Sequence, residues 1–294
     1  MRICILYNPR SGRGKAQRLT DAIERTATER SHEVRTHNIH DSGGVADETI
    51  ADTDRLVIVG GDGTVHHMLP QLARTQTPFY HCGTGTANLI CHAFRMSRSP
   101  SKLVELLEAD RQPTRVDLPR CNGHPFLIMT SLGIDAAVIH RLEESRTLGG
   151  CRAYIKPVFQ EVIRPRFTDA QVQIDNEPYD TLSGPGVLVI ANMPNYGGNF
   201  NPCSTARWDD GKLDIAHIPS TMAVTAGLRY LALLARLPAA ATARGTDIAV
   251  TATKPACVQI DGEKPTEVPS TLGVGQTLKF TMSDQSVRVH APAL

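Results

Sequence analysis

The sequence predicts two domains, an α/β domain with a parallel sheet over residues 1–116 and a β-rich domain over residues 117–294. In the first part, short apolar strands alternate with segments of helical periodicity, an order typical of parallel sheets with right-handed crossovers. From about Val116 the chain changes to many short strand-like runs separated by turn residues, which indicates a boundary near Arg115–Asp117. The candidate strands of the second part are 126–130, 171–174, 187–191, 248–252, 257–260 and 287–290.

The composition is that of an ordinary globular protein. At 294 residues, with 41% hydrophobic and 21% charged residues, the chain can bury a core in each of two domains. A net charge of +1 gives no reason to expect a nucleic-acid partner. Seven cysteines without a C-x-x-C pair favour a reducing compartment. The chain enters a strand at once, leaving no room for a signal peptide, and no segment is suited to span a membrane. We therefore expect a soluble, cytoplasmic protein.

A glycine-rich turn follows the apolar run 56–59. It reads Gly60-Gly61-Asp62-Gly63-Thr64, and helical periodicity begins at about Thr64. Glycines let a ligand approach the backbone, and a helix N-terminus offers N–H groups and partial positive charge to an anion. Asp62 would repel a bare phosphate, so it suits a divalent cation or a substrate proton. The alternative is an ordinary strand-to-helix turn in which the aspartate caps the helix.

Two more glycine-rich segments follow predicted strands. The segment 8–15 carries Ser11, two glycines and three cations, which suits phosphate contact or a solvated basic loop. It is not a Walker loop, because Ala16 follows the lysine, and Gln17 breaks the dinucleotide fingerprint. The other segment, 83–88, follows the strand at 79–82. Since ligands of parallel sheets bind at the carboxyl ends of strands, all three loops are expected at one edge.

The chain resembles the diacylglycerol kinase and sphingosine kinase catalytic family, which includes bacterial lipid kinases and, more distantly, the NAD kinases. The resemblance covers nearly the whole chain and lies in the order of seven short motifs. These are Asn8-Pro9-x-Ser11-Gly12, Gly60-Gly61-Asp62-Gly63-Thr64, Gly85-Thr86-x-Asn88, Ser131-Leu132-Gly133-Ile134-Asp135-Ala136, Tyr196-Gly197-Gly198, Asp210-Gly211-x-Leu213-Asp214 and Asp261-Gly262-Glu263.

The resemblance implies an α/β nucleotide domain, a sandwich-like β-rich domain, and an active site in the cleft between them. It implies an ATP-dependent, Mg²⁺-requiring kinase that phosphorylates a hydroxyl of a lipid such as diacylglycerol or a sphingoid-like base. Peripheral association with the inner membrane face and a homodimer are further expectations. The residues expected to bind the nucleotide are Asn8, Pro9, Ser11, Gly12, Thr36, Gly60, Gly61, Asp62, Gly63, Thr64, Gly85, Thr86 and Asn88.

The resemblance also assigns catalytic and metal-binding roles. Asp62 would organise the catalytic Mg²⁺, and Glu263 would accept the proton of the hydroxyl. The alternative for residues 261–263 is a plain hairpin turn, because Asp-Gly is a strong turn signal. The carboxylate of Asp210, with the carbonyl groups of Arg207 and Lys212, would bind a structural Mg²⁺. A solvent-exposed turn is the alternative there.

Departures from the family pattern keep other functions open. Leu89 stands where many relatives have aspartate, His66-His67 where Asn-Glu is common, and Gly83 where proline is usual. The alternatives are a kinase for a soluble acceptor, such as NAD or a small metabolite, and a nucleotide-binding regulator that has lost catalysis. We interpret the two histidines as lying on the helix surface or lining a cleft. The amphipathic run 221–237 suits an internal packing helix better than a membrane contact.

Overall fold

The computed structural model describes residues 1–41, 45–109, 111–144, 155–163, 165–194 and 200–292. The chain divides into two compact units, one formed by Met1–Val116 with Gln285–Leu294 and the other by Asp117–Asp284. The motif Tyr196-Gly197-Gly198 lies outside the described residues.

The first unit is a parallel α/β domain, as the alternation of elements predicts. Its sheet has six strands in the order β2-β1-β3-β4-β18-β5. The pairs β1–β2, β1–β3, β3–β4 and β4–β18 are parallel. Its elements are β1 (Arg2–Tyr7), α1 (Lys15–Glu29), β2 (Glu33–Asn38), α2 (Asp47–Ala51), β3 (Arg55–Gly60), α3 (Asp62–Thr75), β4 (Phe79–Gly83), α4 (Leu89–Ala93), α5 (Pro100–Glu108), β5 (Thr114–Asp117) and β18 (Ser286–Val289).

The central strands of this sheet are buried on both faces, which explains their continuous apolar sequences. The side chains at 56–59 of β3 are fully buried, and every residue of β4 is buried. On one face, α1 and α5 complete a core to which Ile5, Ile23 and Leu107 contribute. This rigid centre fixes where the loops after β1, β3 and β4 begin.

The second unit is built around a curled antiparallel sheet. Twelve strands take part, with the main order β16-β15-β8-β11-β9-β14-β17-β6-β7; β10 pairs with β9, and β12 with β11 and β13. The elements are β6 (Arg120–Cys121), β7 (His124–Pro125), β8 (Met129–Leu132), α6 (Ile134–Glu144), α7 (Ile155–Ile163), β9 (Thr168–Ile174), β10 (Glu177–Pro178), β11 (Gly184–Ala191), β12 (Leu213–Pro219), α8 (Ala223–Leu234), β13 (Ala241–Gly245), β14 (Asp247–Lys254), β15 (Ala256–Ile260), β16 (Thr271–Leu272) and β17 (Thr277–Thr281).

The sequence predicted the two-part fold correctly, with two local errors. It assigned 287–290 to the second domain, whereas β18 pairs with β4 in the sheet of the first unit, where Val289 aligns with Phe79. An apolar strand carries no mark of the sheet it joins, so this return could not be inferred. It also named one helix candidate in the second domain, the run 221–237, whereas α6 and α7 precede α8 there. Among the described residues, no helix is long and apolar enough to cross a membrane.

Candidate nucleotide site

The three glycine-rich loops lie at one edge of the first sheet. They follow β1, β3 and β4, which are neighbours in the parallel order, so their carboxyl ends meet. The register aligns Tyr7 with Val59 and Gly60 with Gly83. The three loops therefore begin at nearly the same height along the sheet, as their positions after predicted strands required.

Side chains and backbone link the loops to one another. The hydroxyl of Thr84 in the third loop donates to that of Ser11 in the first, at 2.8 Å. The side-chain amide of Asn8 donates to the hydroxyl of Thr64 at 3.2 Å. The N–H of Thr84 donates to the carbonyl oxygen of Gly60 at 2.7 Å, which joins the second and third loops. The three loops thus form one bonded group.

Two glycines are required by close backbone approach. Gly12 has φ +64°, and a Cβ there would lie 2.6 Å from the carbonyl oxygen of Thr84. A Cβ on Gly85 would lie 2.8 Å from the Cα of Gly61. Side chains at either position would separate the loops. Glycine at these positions therefore permits the loops to meet and keeps their backbone accessible to a ligand.

Asp62 is the first residue of α3, and its carboxylate bonds to the start of another helix. It accepts the N–H of Leu89 at 2.9 Å and that of Ile90 at 3.2 Å. These are N–H groups that the first turn of α4 leaves unpaired. Of the two interpretations of this aspartate, capping is therefore present, although the helix capped is α4 rather than α3. A carboxylate has about four acceptor positions, so room for a cation remains.

The buried His81 and the half-buried Cys91 lie beneath the second and third loops. His81 Nε2 lies 3.2 Å from the carbonyl oxygen of Gly60, and its Nδ1 lies 3.4 Å from Cys91 Sγ. Burial lowers the pKa of His81, with the negative charge of Asp62 acting in the opposite direction. Burial, assisted by the charge of Asp62, raises the pKa of Cys91 to about 12. Both groups are therefore neutral supports at physiological pH.

The positions that depart from the family pattern have clear structural roles. Leu89 is buried, so its side chain packs while its N–H binds Asp62. His66 is buried and its ring meets that of His67 edge-on, with centroids 5.6 Å apart. Of these two histidines, expected on the helix surface or lining a cleft, His67 is exposed and His66 is not on the surface. Gly83 lies against Asn88, whose side chain a Cβ at Gly83 would meet at 2.6 Å.

Thr36 does not share in the bonds among the loops. It lies on the edge strand β2 beside Ile5, and its hydroxyl donates to the carboxylate of Glu24 on α1 at 3.2 Å. Asn88 holds the third loop internally: its Oδ1 accepts the N–H of Gly85 at 2.8 Å, and its amide donates to the same residue's carbonyl oxygen at 2.9 Å.

The Asp261-Gly262-Glu263 motif forms the hairpin turn that the sequence alternative named. Asp261 and Gly262 both have positive φ, 51° and 82°, between the bridged residues Ile260 and Glu263. The carboxylate of Asp261 accepts the N–H groups of Leu127, Ile128 and Met129 at 2.7–3.0 Å. The turn is therefore rigid, and Glu263 is partly buried on it.

The turn before β12 does not fit the structural Mg²⁺ that the resemblance implies. Asp210 pairs with the guanidinium of Arg244, which also donates to Asp214 at 2.9 Å. The second Asp210 oxygen accepts the N–H of Lys212 at 3.2 Å. A cationic side chain thus occupies the position between the carboxylates. Over the described ranges, no three His, Cys, Asp or Glu side chains are grouped to hold a metal ion.

Several supporting residues were not found by sequence reasoning. Thr84 lies inside a recognised loop, so its polarity was a usable signal. His40, whose Nε2 lies 3.1 Å from Asn8 Oδ1, comes from a different connection. Arg244 becomes a partner of Asp214 because β12 and β13 pair these residues directly. Neither of the last two contacts leaves a local pattern in the sequence.

Models of two protein domain families match this chain, one in its N-terminal part and one in its C-terminal part. Residues 2–121 match the model of the diacylglycerol kinase catalytic domain. Residues 129–283 match the model of the YegS C-terminal NAD kinase beta sandwich-like domain. These matches confirm the resemblance drawn from the seven motifs and the order of the two domain types.

Whole-chain relatives give the same result. A protein of Pseudomonas aeruginosa named "Probable lipid kinase YegS-like" is 30% identical over 258 residues, covering 81% of this chain and 76% of that protein. A protein of the same name from Pseudomonas fluorescens is 29% identical, covering 84% and 81%. A crystal structure described as a diacylglycerol kinase from Bacillus anthracis shares the fold, with TM-score 0.71, 17% identity, and coverage of 99% and 97%. The chain belongs to the YegS-like lipid kinase family and carries a diacylglycerol kinase catalytic domain.

Proposed function

We propose that the protein transfers the γ-phosphate of ATP to a hydroxyl group of a lipid, of the diacylglycerol or sphingoid-base class. The observation that carries the proposal is the bonded group of three glycine-rich loops at the carboxyl edge of the first sheet. Its support is membership of a kinase family, together with relatives named as lipid kinases.

Phosphoryl transfer requires a protein to position the phosphates and to stabilise their charge, and the three loops suit both tasks. Their closely packed backbone suits the phosphates, together with the hydroxyl groups of Ser11, Thr64 and Thr86. The wider nucleotide contacts proposed are Asn8, Pro9, Gly12, Gly60, Gly61, Gly63, Gly85 and Asn88. Thr36, which the resemblance also assigns to the nucleotide, is left out of the proposal because its hydroxyl bonds to Glu24 from the edge strand. Basic residues of the first loop, including Arg10 and Lys15, add a positive field at this edge.

Asp62 is the carboxylate proposed to face the nucleotide's Mg²⁺. Mg²⁺ in kinases is held mainly by phosphate oxygens and water with one or two carboxylates, so a single aspartate with spare acceptor positions fits. When bound, the ion would neutralise charge on the transferring phosphate. The α4 N–H groups fix the orientation of the carboxylate before any ion arrives.

Glu263 is proposed as the base that accepts the hydroxyl proton. The resemblance carries this role, and the rigid two-residue turn suits it because a base must be held within hydrogen-bond reach. The carboxylate of Asp261 already accepts three backbone N–H hydrogen bonds, so its role is structural. Glu263 is therefore the carboxylate of this motif proposed for chemistry.

A transfer assay with radiolabelled ATP against a panel of purified lipids tests the proposal. We expect labelled lipid product, and a loss of about 100-fold or more in Glu263→Gln and Asp62→Asn. Glu267→Gln is the matched control, since this nearby glutamate is 46% exposed and is expected to keep full activity. Full activity in both site variants would remove both assignments.

A soluble acceptor is the second candidate, favoured by the match of the second unit to an NAD kinase-like sandwich model. Transfer of label to NAD in the absence of lipid would establish it and displace the lipid hypothesis. ATP binding in calorimetry without turnover on any acceptor would instead indicate a regulator, a role to which the replacement of aspartate by Leu89 also points.

A further inference from the structure

An exposed apolar surface lies on two helices of the second unit. Eight of the ten large hydrophobic side chains that are exposed among the described residues belong to it. We define the apolar surface as Val158 and Phe159 of α7 with six residues of α8 and its flanks: Met222, Val224, Leu228, Leu231, Leu234 and Leu237. Concentration on one pair of neighbouring helices distinguishes it from the scattered apolar residues of an ordinary surface.

Helix α8 has an inner and an outer apolar face. On the inner face, Ala226 is buried and the ring of Tyr230 stacks on Phe200 with centroids 4.5 Å apart. Val224, Leu228 and Leu231 follow the spacing i, i+4, i+7, which places them on one outer stripe. Their exposures are 71%, 62% and 62%. The interpretation of 221–237 as an internal packing helix is therefore wrong for this stripe.

The charged side chains that α7 and the end of α8 expose are positive. The sequence contains no aspartate or glutamate between Asp214 and Asp247, a stretch that includes all of α8. Lys156 on α7 and Arg236 just after α8 are exposed. The carboxylate of α7, Glu161, is buried in ion pairs with Arg141 and Arg166 at 2.5 and 2.6 Å. Apolar side chains bordered by exposed cations complement an anionic lipid surface.

A cavity lined by both apolar and polar side chains lies at the C-terminal end of α8. It encloses about 570 Å³, and its lining combines Leu233 and Leu237 with Arg236, Ser204 and Thr242. An aliphatic wall beside a guanidinium and two hydroxyl groups matches the junction of an acyl chain and a phosphate headgroup. The cavity therefore offers adjoining apolar and polar contacts at the end of the apolar surface.

We propose that the apolar surface docks on a bilayer containing anionic phospholipids, with α8 lying in the plane of the interface. Leucine side chains would enter the acyl boundary while Lys156 and Arg236 contact headgroup phosphates. This deepens the proposed function, on which it rests for the choice of a bilayer as the partner. A kinase that docks in this way can take its acceptor without drawing it through water.

Sedimentation with sucrose-loaded vesicles tests the proposal without ATP or acceptor. We expect the wild type to bind vesicles of phosphatidylcholine with phosphatidylglycerol, and binding to weaken as salt rises. The double variant Leu228→Gln, Leu231→Gln should bind about tenfold more weakly. The control Val274→Gln removes an apolar side chain of similar exposure, 66%, outside the surface and should bind as the wild type does.

Other outcomes separate this proposal from the proposed function. Equal vesicle binding by the wild type and the α8 variant would overturn the docking surface, whatever the kinase activity. Vesicle binding without lipid phosphorylation would leave the docking surface standing and remove the lipid acceptor. A wild-type dimer in solution that becomes monomeric in the α8 variant would assign the surface to a second copy and overturn the lipid proposal. Circular dichroism of the variant verifies that α8 still folds.

Discussion

Asp62 in the first unit and Asp210 in the second are both aspartates that the family motifs offer to a metal ion, but their surroundings differ. Asp62 is held by two neutral backbone N–H groups, which orient its carboxylate and bring no positive charge of their own. Asp210 is held by the guanidinium of Arg244, which supplies the positive charge a metal would bring. A motif carboxylate is therefore available to a metal ion at Asp62 but already matched by a guanidinium at Asp210.

The largest effect is expected at Asp62. Asp62→Ala leaves the N–H groups of Leu89 and Ile90 unpaired, which should lower the free energy of unfolding by about 2–3 kcal/mol. Urea denaturation followed by far-UV circular dichroism measures it. Asp62→Asn keeps one acceptor oxygen, so it should lose less than about 1 kcal/mol while losing transfer activity.

Comparing Asp62→Ala with Asp62→Asn separates the structural role of Asp62 from its proposed role in metal binding. A stable and fully active Asp62→Asn would show that its charge serves no metal, and the proposed difference from Asp210 would then be wrong. Asp21→Asn is the control, because this carboxylate is exposed and bonds only to the nearby amide of Gln17 among the described contacts. It should change neither stability nor activity.

Asp135, in the first turn of α6, is a third aspartate whose surroundings differ from those of Asp62 and Asp210. Burial raises its pKa to about 6, while the Ser131 hydroxyl and the backbone N–H groups of Ala136 and of Asp135 itself lower it by less. The folded state therefore keeps a proton that the unfolded chain has lost, and stability falls as pH rises from about 4 to 6. Asp135→Asn removes this dependence and should be more stable by about 2–3 kcal/mol above pH 6.

The fluorescence of Trp208, in the second unit, follows this unfolding across pH. The advantage of Asp135→Asn should shrink as pH falls below about 5, because the wild-type carboxyl is then protonated in the folded state. Asp284→Asn, at an exposed position, should give a curve parallel to that of the wild type. A constant difference between Asp135→Asn and the wild type at every pH would show that packing, rather than titration, causes it.

Sequence reasoning recovered the parts of the molecule that local patterns specify. The alternation of apolar strands and helices gave the first sheet, and glycine-rich exits after 3–7, 56–59 and 79–82 placed the three loops. It could not assign β18 to the first sheet, because strand sequences do not name their neighbours. Nor could it find Arg244, which reaches Asp210 and Asp214 only through the pairing of β12 with β13. Contacts between segments that are distant in the sequence could therefore not be predicted from local patterns.

Replacing Arg244 tests whether its guanidinium takes the place of a metal ion beside Asp210. Arg244→Gln leaves Asp210 and the buried Asp214 without their cation and should lower the free energy of unfolding by about 1–2 kcal/mol, a value reduced by solvent access to the pair. Millimolar Mg²⁺ should restore part of this stability, since two carboxylates then share an uncompensated site. Chelation should leave the stability of the wild type unchanged.

Thermal unfolding monitored by Trp208 fluorescence, with and without Mg²⁺, measures these effects. Arg207→Gln is the matched control: this arginine is 67% exposed and pairs with Asp209 at 3.3 Å, so a change below about 0.5 kcal/mol is expected. Destabilisation of the wild type by a chelator would contradict the assignment of Arg244 and return the turn to metal binding.

The smallest effect is expected at Thr36, whose hydroxyl donates to Glu24 and takes no part in the bonds among the three loops. Thr36→Val keeps the shape and strand propensity of the residue, so the unfolding free energy should change by less than about 1 kcal/mol. The KM for ATP should stay within about twofold of the wild-type value, whereas Ser11→Ala, which removes the partner of Thr84, should raise it by about fivefold or more. Steady-state kinetics at saturating acceptor measures both. A rise in KM for Thr36→Val as large as that for Ser11→Ala would extend the nucleotide site to the edge strand, and bonding among the loops would then be a poor guide to its limits.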